Sequence, residues 1–219
     1  MKYDAVLFDL GNTIINNINI DLKNGFNKLI QKYNINCQNI TSSIETILQL
    51  IRQRNDFELP AIEILQIFEE LLNFKFNDDY YEVEYELLKY CSIDALMDGV
   101  LEVLEYLKNN NIRMGIVSNS IFSSQCLERW LCDYKILYYF EFVISSSDVI
   151  YRKPTKQIFE TSYIHLNNID KKKILFIGDS FDIDYVGATS FGFDSILINQ
   201  DKNEHTINKL TKLIDIVRG

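Results

Sequence analysis

The chain has 219 residues, of which 47% are hydrophobic and 24% charged, and its formal net charge is −9. This composition is typical of a globular protein with one substantial core and room for an inserted subdomain. The negative charge argues against a broad nucleic-acid-binding surface, and no apolar run reaches the length that a membrane-spanning helix needs. The N-terminus shows no signal-peptide pattern, so we expect a cytoplasmic protein.

The first predicted element is a buried strand over residues 3–9, and helical periodicity follows it from about residue 16 to residue 92. Apolar residues at helical spacing predict four helices in this block, which we expect to contain no strand. The acidic and aromatic stretch at 78–85 is interpreted as helix packing plus a solvated face. The block therefore resembles a small helical bundle inserted after the first strand.

From Gly99 onward, helices and strands alternate. The predicted strands are 112–117, 142–145, 173–177 and 194–198, and the predicted helices lie near 100–107, 121–132, 155–165, 182–191 and 204–217. This alternation predicts a parallel sheet with right-handed crossovers. The predicted fold class is α/β, with a Rossmann-like parallel sheet core formed by residues 1–15 and 93–219. Residues 16–92 are predicted to form an α-helical cap subdomain.

Polar residues follow four of the predicted strands near their carboxyl ends, namely Asp9, Ser118, Lys153 and Asp179. In an open α/β sheet, ligands bind in the crevice beyond these strand ends, so we expect the four side chains to converge. Each residue also has an ordinary structural interpretation. The two aspartates and the serine are common turn and helix caps, and a lysine is most often a solvated surface charge.

Together these residues favour chemistry on an anionic group beside a divalent cation. Asp9 can act as a covalent nucleophile toward phosphorus, and Ser118 with neighbouring backbone N–H groups can form an anion site. Lys153 would neutralise charge in the same cleft. Asp184 lies five residues after Asp179, and two carboxylates so close would repel each other without a cation between them. A few hard oxygen ligands suit Mg²⁺.

Four segments resemble the motifs of the haloacid dehalogenase superfamily: LFDLGNTI, IVSNS, YRKPTKQIF and ILFIGDSFDIDYVGATSFGF. The helical block is similar to the helical cap of that superfamily. The resemblance implies that Asp9 is the nucleophile, that Ser118 and Asn119 hold the transferring phosphoryl group, and that Lys153 stabilises its charge. It also implies a Mg²⁺ site formed by Asp9, the backbone carbonyl of Gly11, Asp179 and, in support, Asp184.

One residue departs from the phosphatase pattern of this superfamily. Most of its phosphatases have a second Asp two residues after the nucleophile, which protonates the leaving group, and here that position is Gly11. The carbonyl ligand is retained, but the acid is lost. Asn12 follows where Gly is usual, and Asn also tolerates left-handed backbone angles.

The sequence thus favours a Mg²⁺-dependent phosphatase that acts on a small phosphorylated metabolite through a phospho-aspartyl intermediate, as a monomer or homodimer. A dehalogenase-like or phosphonatase-like hydrolase is a second hypothesis; the phosphonatases use a cap lysine. The candidates for that lysine are Lys23, Lys28, Lys32, Lys75 and Lys89. A third hypothesis is a catalytically silent binding or regulatory protein.

The remaining metal-binding and nucleophilic residue types are not expected to be functional. The cysteines Cys37, Cys91, Cys126 and Cys132 show no CxxC pairing, and we interpret them as reduced core residues of a cytosolic protein. The two histidines, His165 and His205, are predicted at helix ends away from the strand tips.

Overall fold

A computed structural model describes residues 1–16, 20–36, 39–92, 95–167, 169–198 and 205–219. The predicted α/β class is confirmed: a six-stranded parallel sheet has the spatial order β5-β4-β1-β6-β7-β8, and a two-stranded antiparallel ribbon joins β2 and β3. The strands are β1 (Ala5–Phe8), β2 (Ile15–Asn16), β3 (Ala95–Leu96), β4 (Arg113–Ser118), β5 (Phe142–Ser145), β6 (Ile174–Gly178), β7 (Asp194–Ile198) and β8 (Thr206–Ile207).

The first strand lies at the centre of the sheet, although more than 100 residues separate it from β4, the next strand of that sheet along the chain. Phe8 lies opposite Ile116 of β4 on one side and opposite Ile177 of β6 on the other. All four residues of β1 are buried, as expected for a parallel strand that is covered on both faces. The carboxyl ends of β1, β4 and β6 therefore meet at one edge of the sheet.

Helices cover both faces of this sheet. They are α1 (Leu22–Lys32), α2 (Ile40–Arg52), α3 (Ala61–Leu72), α4 (Tyr80–Cys91), α5 (Val100–Asn109), α6 (Ser124–Asp133), α7 (Ser146–Val149), α8 (Lys156–His165), α9 (Val186–Phe191) and α10 (Leu213–Arg218). Side chains of α5, α6 and α10 share one hydrophobic core with Val6 and Phe8. Side chains of α8 and α9 form a second core with Ala5 and Leu7, as the alternation of β1 requires.

The helices α1–α4, which we call the cap, pack against one another, and α4 also packs on α6 of the sheet domain. The helices α1 and α4 approach closely at Gly25, where an added Cβ would lie 2.3 Å from Cys91 Sγ. Two of the helices begin at aspartates that accept backbone hydrogen bonds: Asp21 from Asn24 N, and Asp79 from Tyr81 N. These caps satisfy N–H groups that have no partner within the helix.

Two predicted elements differ from the structure. Asn16, which was assigned to the helical block, belongs to the short strand β2. The terminal helix expected from residue 204 is shorter, because Thr206–Ile207 pair with β7 as an additional parallel strand and α10 begins only at Leu213. No helix of the described residues is long and apolar enough to cross a membrane.

The interpretation of the cysteines as core residues is correct for Cys91 and Cys126, which are buried. Burial raises the pKa of the Cys91 thiol to about 12, so this thiol stays protonated at neutral pH. The interpretation is wrong for Cys132, which lies on the exposed side of the last turn of α6. Cys37 lies outside the described residues.

Candidate active site

Three of the predicted residues meet at the carboxyl edge of the sheet. Lys153 Nζ lies 2.7 Å from Asp9 Oδ1 and 2.7 Å from Asp184 Oδ1. The Lys153 side chain is only 1% exposed, so the interpretation of this residue as a solvated surface charge is wrong. The amide of Asp9 donates to Ile177 O (2.8 Å), which extends the pairing of β1 with β6 by one residue and orients the carboxylate.

Asp179 completes a cluster of acids with Asp9 and Asp184, which we call the carboxylate cluster. One oxygen from each of the three residues lies within 4.8 Å of the other two. Asn12 Nδ2 donates to Asp179 Oδ2 at 3.2 Å, a contact that sequence reasoning missed. Asn12 has a φ of 54°, a left-handed backbone conformation that Asn tolerates.

Asp184 reaches the cluster because of the loop after β6. A π-helical turn over Phe181–Tyr185 carries it back over the strand end, and Ser180 N donates to its Oδ2 at 3.0 Å. An added Cβ at Gly178 would lie 2.3 Å from Asp184 Cγ. Only glycine therefore allows the Asp184 carboxylate to pack against the end of β6 in this position.

Asn119 holds the loop that carries Lys153 in place. Its Nδ2 donates to Lys153 O (2.9 Å), and its Oδ1 accepts from Lys153 N (2.7 Å). The side chain of Asn119 is thereby used to position Lys153. Ser118 is the last residue of β4 and is buried, and the N-cap of α6 is Ser123 instead.

Burial and an excess of carboxylates together set the electrostatics of the site. Burial raises the pKa of Asp9 to about 7; Lys153 lowers it, whereas Asp184 and Asp179 raise it. The pKa of Asp179 is also raised, chiefly by burial, although the hydrogen bond from Asn12 lowers it. Burial alone would lower the pKa of Lys153, but the adjacent Asp184 and Asp9 outweigh burial and raise it. We therefore treat Lys153 as charged, so the site carries more negative charge than one ammonium can balance.

These groups line a cavity of about 230 Å³, at the small end for ligand sites. Its polar side includes the carboxylate cluster, Lys153, Ser118 and the backbone of Gly11. Arg152 lines it as well, a cation that sequence reasoning did not single out. The opposite side is apolar and is formed by Leu10, Ile20, Leu88, Phe122, Leu127, Trp130 and Ile183.

Several candidates lie away from this cavity. Among the described residues, its wall has no carboxyl group other than those of the carboxylate cluster, and Asp182 is exposed and does not line it. Neither histidine lines it: His165 stacks on Phe142, and His205 packs on Tyr185. The candidate cap lysines also lie elsewhere, four of them in ion pairs (Lys23, Lys32, Lys75 and Lys89) and Lys28 over the ring of Tyr90.

Comparison with known proteins places the chain among hydrolases. A glyceraldehyde 3-phosphate phosphatase of Methanothermobacter thermautotrophicus is 28% identical over 127 residues, which cover 57% of this chain and 51% of that protein. The pyrimidine 5'-nucleotidase YjjG of Escherichia coli is 25% identical over 93% of this chain and 89% of its own length.

A solved structure of a phosphatase from Thermococcus onnurineus has a TM-score of 0.69 at 25% identity, and the likeness covers 99% of this chain and 98% of that one. The haloacid dehalogenase-like hydrolase family matches residues 6–198, which include the cap and all the residues of the site. The chain therefore belongs to the haloacid dehalogenase-like hydrolase family, and its relatives include phosphatases.

Proposed function

We propose that the protein is a Mg²⁺-dependent phosphatase that hydrolyses a small phosphorylated metabolite, with Asp9 as the nucleophile. The observation that carries this proposal is the carboxylate cluster around Lys153. Three carboxylates within 4.8 Å and one ammonium leave a formal charge of −2 in a buried place. A dianionic phosphate would be repelled from such a site unless a divalent cation were bound there.

The donor set suits Mg²⁺, because all of the available ligands are hard oxygens and only two carboxylates would bind the ion directly. Asp9, Asp179 and the carbonyl of Gly11 would hold the ion directly, with Asp184 in support. Mg²⁺, when bound, supplies positive charge that neutralises the carboxylates and the phosphate oxygens. Burial is the main cause of the raised pKa of Asp9, and the carboxylates of Asp184 and Asp179 add to it, so a bound cation would favour the ionised form that attacks phosphorus.

In the proposed reaction, a carboxylate oxygen of Asp9 attacks phosphorus, the bond from phosphorus to the leaving oxygen breaks, and an acyl phosphate forms on Asp9. Ser118 Oγ and the backbone N–H of Asn119 bind the phosphoryl oxygens, and Lys153 stabilises the charge that develops on them. Water then attacks the phosphorus of the acyl phosphate, which releases orthophosphate and regenerates Asp9.

In this proposal the leaving oxygen takes its proton from water, because the described cavity wall offers no carboxyl group beyond those of the carboxylate cluster. We propose that Gly11 removes the general acid that most phosphatases of the family have. Substrates whose leaving groups are already stable as anions would suffer least from this loss.

The other hypotheses have less support. A Schiff-base mechanism needs a lysine in the cavity, and Lys153 is the described lysine that lines it, where it is held between two carboxylates. The resemblance to the superfamily also implies that a dehalogenase would lack a metal-binding acid pair, whereas this site has Asp179 and Asp184. A silent binding protein would retain the geometry but release no phosphate, so only an activity measurement separates that hypothesis from ours.

The test is a phosphate-release screen with Mg²⁺ and with EDTA over sugar, nucleotide and carboxylic-acid phosphates. The panel begins with glyceraldehyde 3-phosphate and pyrimidine 5'-nucleotides, the substrates named for the relatives. We expect Mg²⁺-dependent release that Asp9→Asn abolishes without loss of fold. Release that persists in Asp9→Asn would contradict the covalent mechanism, and a wild type inactive on the whole panel would favour the silent protein. A cytoplasmic location stays part of this proposal.

A further inference from the structure

Three glutamates of the cap segment are buried among the described residues: Glu58, Glu69 and Glu84 are 6%, 1% and 0% exposed. Buried carboxylates require hydrogen-bond partners. Glu69 finds its partners within the cap, since it accepts from Phe76 N (2.7 Å), from Lys75 Nζ (2.6 Å) and from Tyr80 Oη (2.5 Å). The partners of Glu58 and Glu84 lie instead on loops of the sheet domain.

Glu84 lies on α4 and binds the start of α6. Its Oε1 accepts from Ser123 N, and its Oε2 accepts from Ser123 Oγ, both at 2.7 Å. Ser123 Oγ in turn accepts from Cys126 N at 3.2 Å, so it is the N-cap of α6. A carboxylate at this end of a helix is favourable, because the unpaired N–H groups carry partial positive charge. Ser123 is also the last residue of the loop that begins at Ser118.

Glu58 binds the middle of the same loop through one intermediate residue. Ser146 Oγ accepts from Ser120 N (2.9 Å) and donates to Glu58 Oε2 (2.7 Å). The same carboxylate pairs with Arg152 Nη1 at 3.1 Å, directly before Lys153. Arg54 Nη1, from the cap segment, approaches its other oxygen at 3.2 Å.

Backbone hydrogen bonds fix the segment around Glu58 to both loops. Glu58 N donates to Ile150 O (2.6 Å), Arg152 N donates to Asp56 O (2.8 Å) and Ala61 N donates to Ile121 O (2.7 Å). The cap segment 56–61 is therefore joined to the 118–123 loop and to the loop that carries Lys153. A shift of this segment would move groups on both sides of the cavity.

We propose that Glu58 and Glu84 are positioning residues, which hold the 118–123 loop in the conformation that binds the phosphoryl group. Docking of the cap would then set the affinity of the site for phosphate, in addition to covering the substrate. This inference rests on the proposed function, because only that function makes the 118–123 loop a binding site for the phosphoryl group. Small displacements of a binding group are costly in a preorganised site, so a glutamate that never contacts substrate can control the affinity for it.

The test compares Glu58→Ala and Glu84→Ala with Glu69→Ala, a matched control that removes an equally buried cap glutamate whose partners stay within the cap. We measure kcat and KM for 4-nitrophenyl phosphate at saturating Mg²⁺, and inhibition by orthophosphate, well below every variant's Tm. We expect KM and the inhibition constant to rise together by about 10-fold in the two test variants, with a smaller change in kcat, because ground-state binding is what is lost. Glu69→Ala should leave both constants within about twofold of wild type, as expected for a change with no contact to the site.

Two further variants separate positioning from a general loss of stability. In Glu84→Gln the amide oxygen can accept from Ser123 N and the NH₂ can donate to Ser123 Oγ, so this variant should recover most of the affinity. Ser146→Ala removes the link between Glu58 and Ser120 while both glutamates remain, and it should raise KM as Glu58→Ala does. If Glu58→Ala or Glu84→Ala fails to fold, the KM values of Glu84→Gln and Ser146→Ala test the positioning role instead. Equal KM changes in the test variants and in Glu69→Ala would overturn the proposal.

Amide hydrogen exchange gives a readout that does not depend on turnover. Exchange at Ser120 and Ser123 should accelerate by about 10-fold in Glu58→Ala and Glu84→Ala and stay unchanged in Glu69→Ala. If the wild type neither hydrolyses phosphate esters nor binds orthophosphate, the proposed function fails, but this exchange still shows whether the glutamates hold the loop. Unchanged exchange in the two test variants would overturn the positioning role.

Discussion

Gly11→Asp is expected to supply the general acid whose absence we propose. Gly11 lines the cavity and is partly exposed, and its φ is not among the positive values of the described glycines. A side chain at this position therefore needs no left-handed backbone. The introduced carboxyl would lie two residues from Asp9, beside the carboxylate cluster. Neighbouring negative charge raises the pKa of an added acid, which keeps it protonated and able to donate.

A well-positioned general acid contributes about 10²–10⁴-fold to rate. The introduced carboxyl would be less well oriented than an evolved general acid. The neighbouring side chain of Asn12 already donates its hydrogen bond to Asp179 and so would not hold the new carboxyl in place. We therefore expect an increase of about 10-fold for alkyl phosphates, at or below the lower end of that range. Aryl phosphates, whose leaving groups need little protonation, should gain less than about twofold.

The measurement is kcat/KM for 4-nitrophenyl phosphate and for glycerol phosphate in wild type, Gly11→Asp and Gly11→Asn. The asparagine variant has nearly the same size but no acid, so it controls for changes in loop shape. The ratio of alkyl to aryl rates should rise only in Gly11→Asp. If the ratio is the same in all three proteins, another group already protonates the leaving oxygen, and the missing-acid argument is wrong.

Three further predictions concern the charges of the site. Asp179→Ala should weaken Mg²⁺ affinity by at least about 10-fold, and high Mg²⁺ should partly restore the rate; unchanged affinity in a metal titration would exclude Asp179 as a ligand. Lys153→Met should lower kcat by about 100-fold or more without weakening Mg²⁺ binding, and parallel loss of both would show that Lys153 mainly maintains the fold. Since the raised pKa of Asp9 favours the protonated, non-nucleophilic form at low pH, the rate should fall as pH falls. Bound Mg²⁺ favours the ionised carboxylate of Asp9, so the midpoint of this fall should move to lower pH as the Mg²⁺ concentration rises. A midpoint independent of Mg²⁺ would show that Asp9 is not a ligand of the ion.

The sequence predicted the sheet well because its strands are short apolar runs with clear ends. The predicted strands 142–145 and 194–198 match β5 and β7 residue for residue. The strand β8 was missed because two residues, Thr206–Ile207, carry no periodic pattern, and their strand conformation comes from pairing with β7. Local patterns determine long buried elements, whereas tertiary pairing determines very short ones.

The position of the candidate site could be predicted for those residues that follow a recognisable strand. A polar residue after a buried strand can be placed at the sheet edge from sequence, and this places Asp9, Ser118 and Asp179. The interpretation of 78–85 as a solvated face was wrong for Glu84, which is buried against the sheet domain. A buried and an exposed glutamate look alike in one amphipathic helix, and only the position of a neighbouring helix distinguishes them.

A net charge of −9 is compatible with the proposed binding of an anionic phosphate, because the charge within the cavity differs from the charge of the whole chain. Within the carboxylate cluster, the charge is set by three acids and Lys153, and in our proposal a divalent cation makes this place suitable for a phosphate. The proposed cation requirement thus rests on the local charge of these residues. The same charge gives a reason for the two hydrogen bonds by which Asn119 holds the backbone of Lys153, because a displaced ammonium would leave the buried carboxylates of Asp9 and Asp184 without their counter-charge. The cap also contributes to the charge around the cavity, since Glu58 forms an ion pair with Arg152, which lines it.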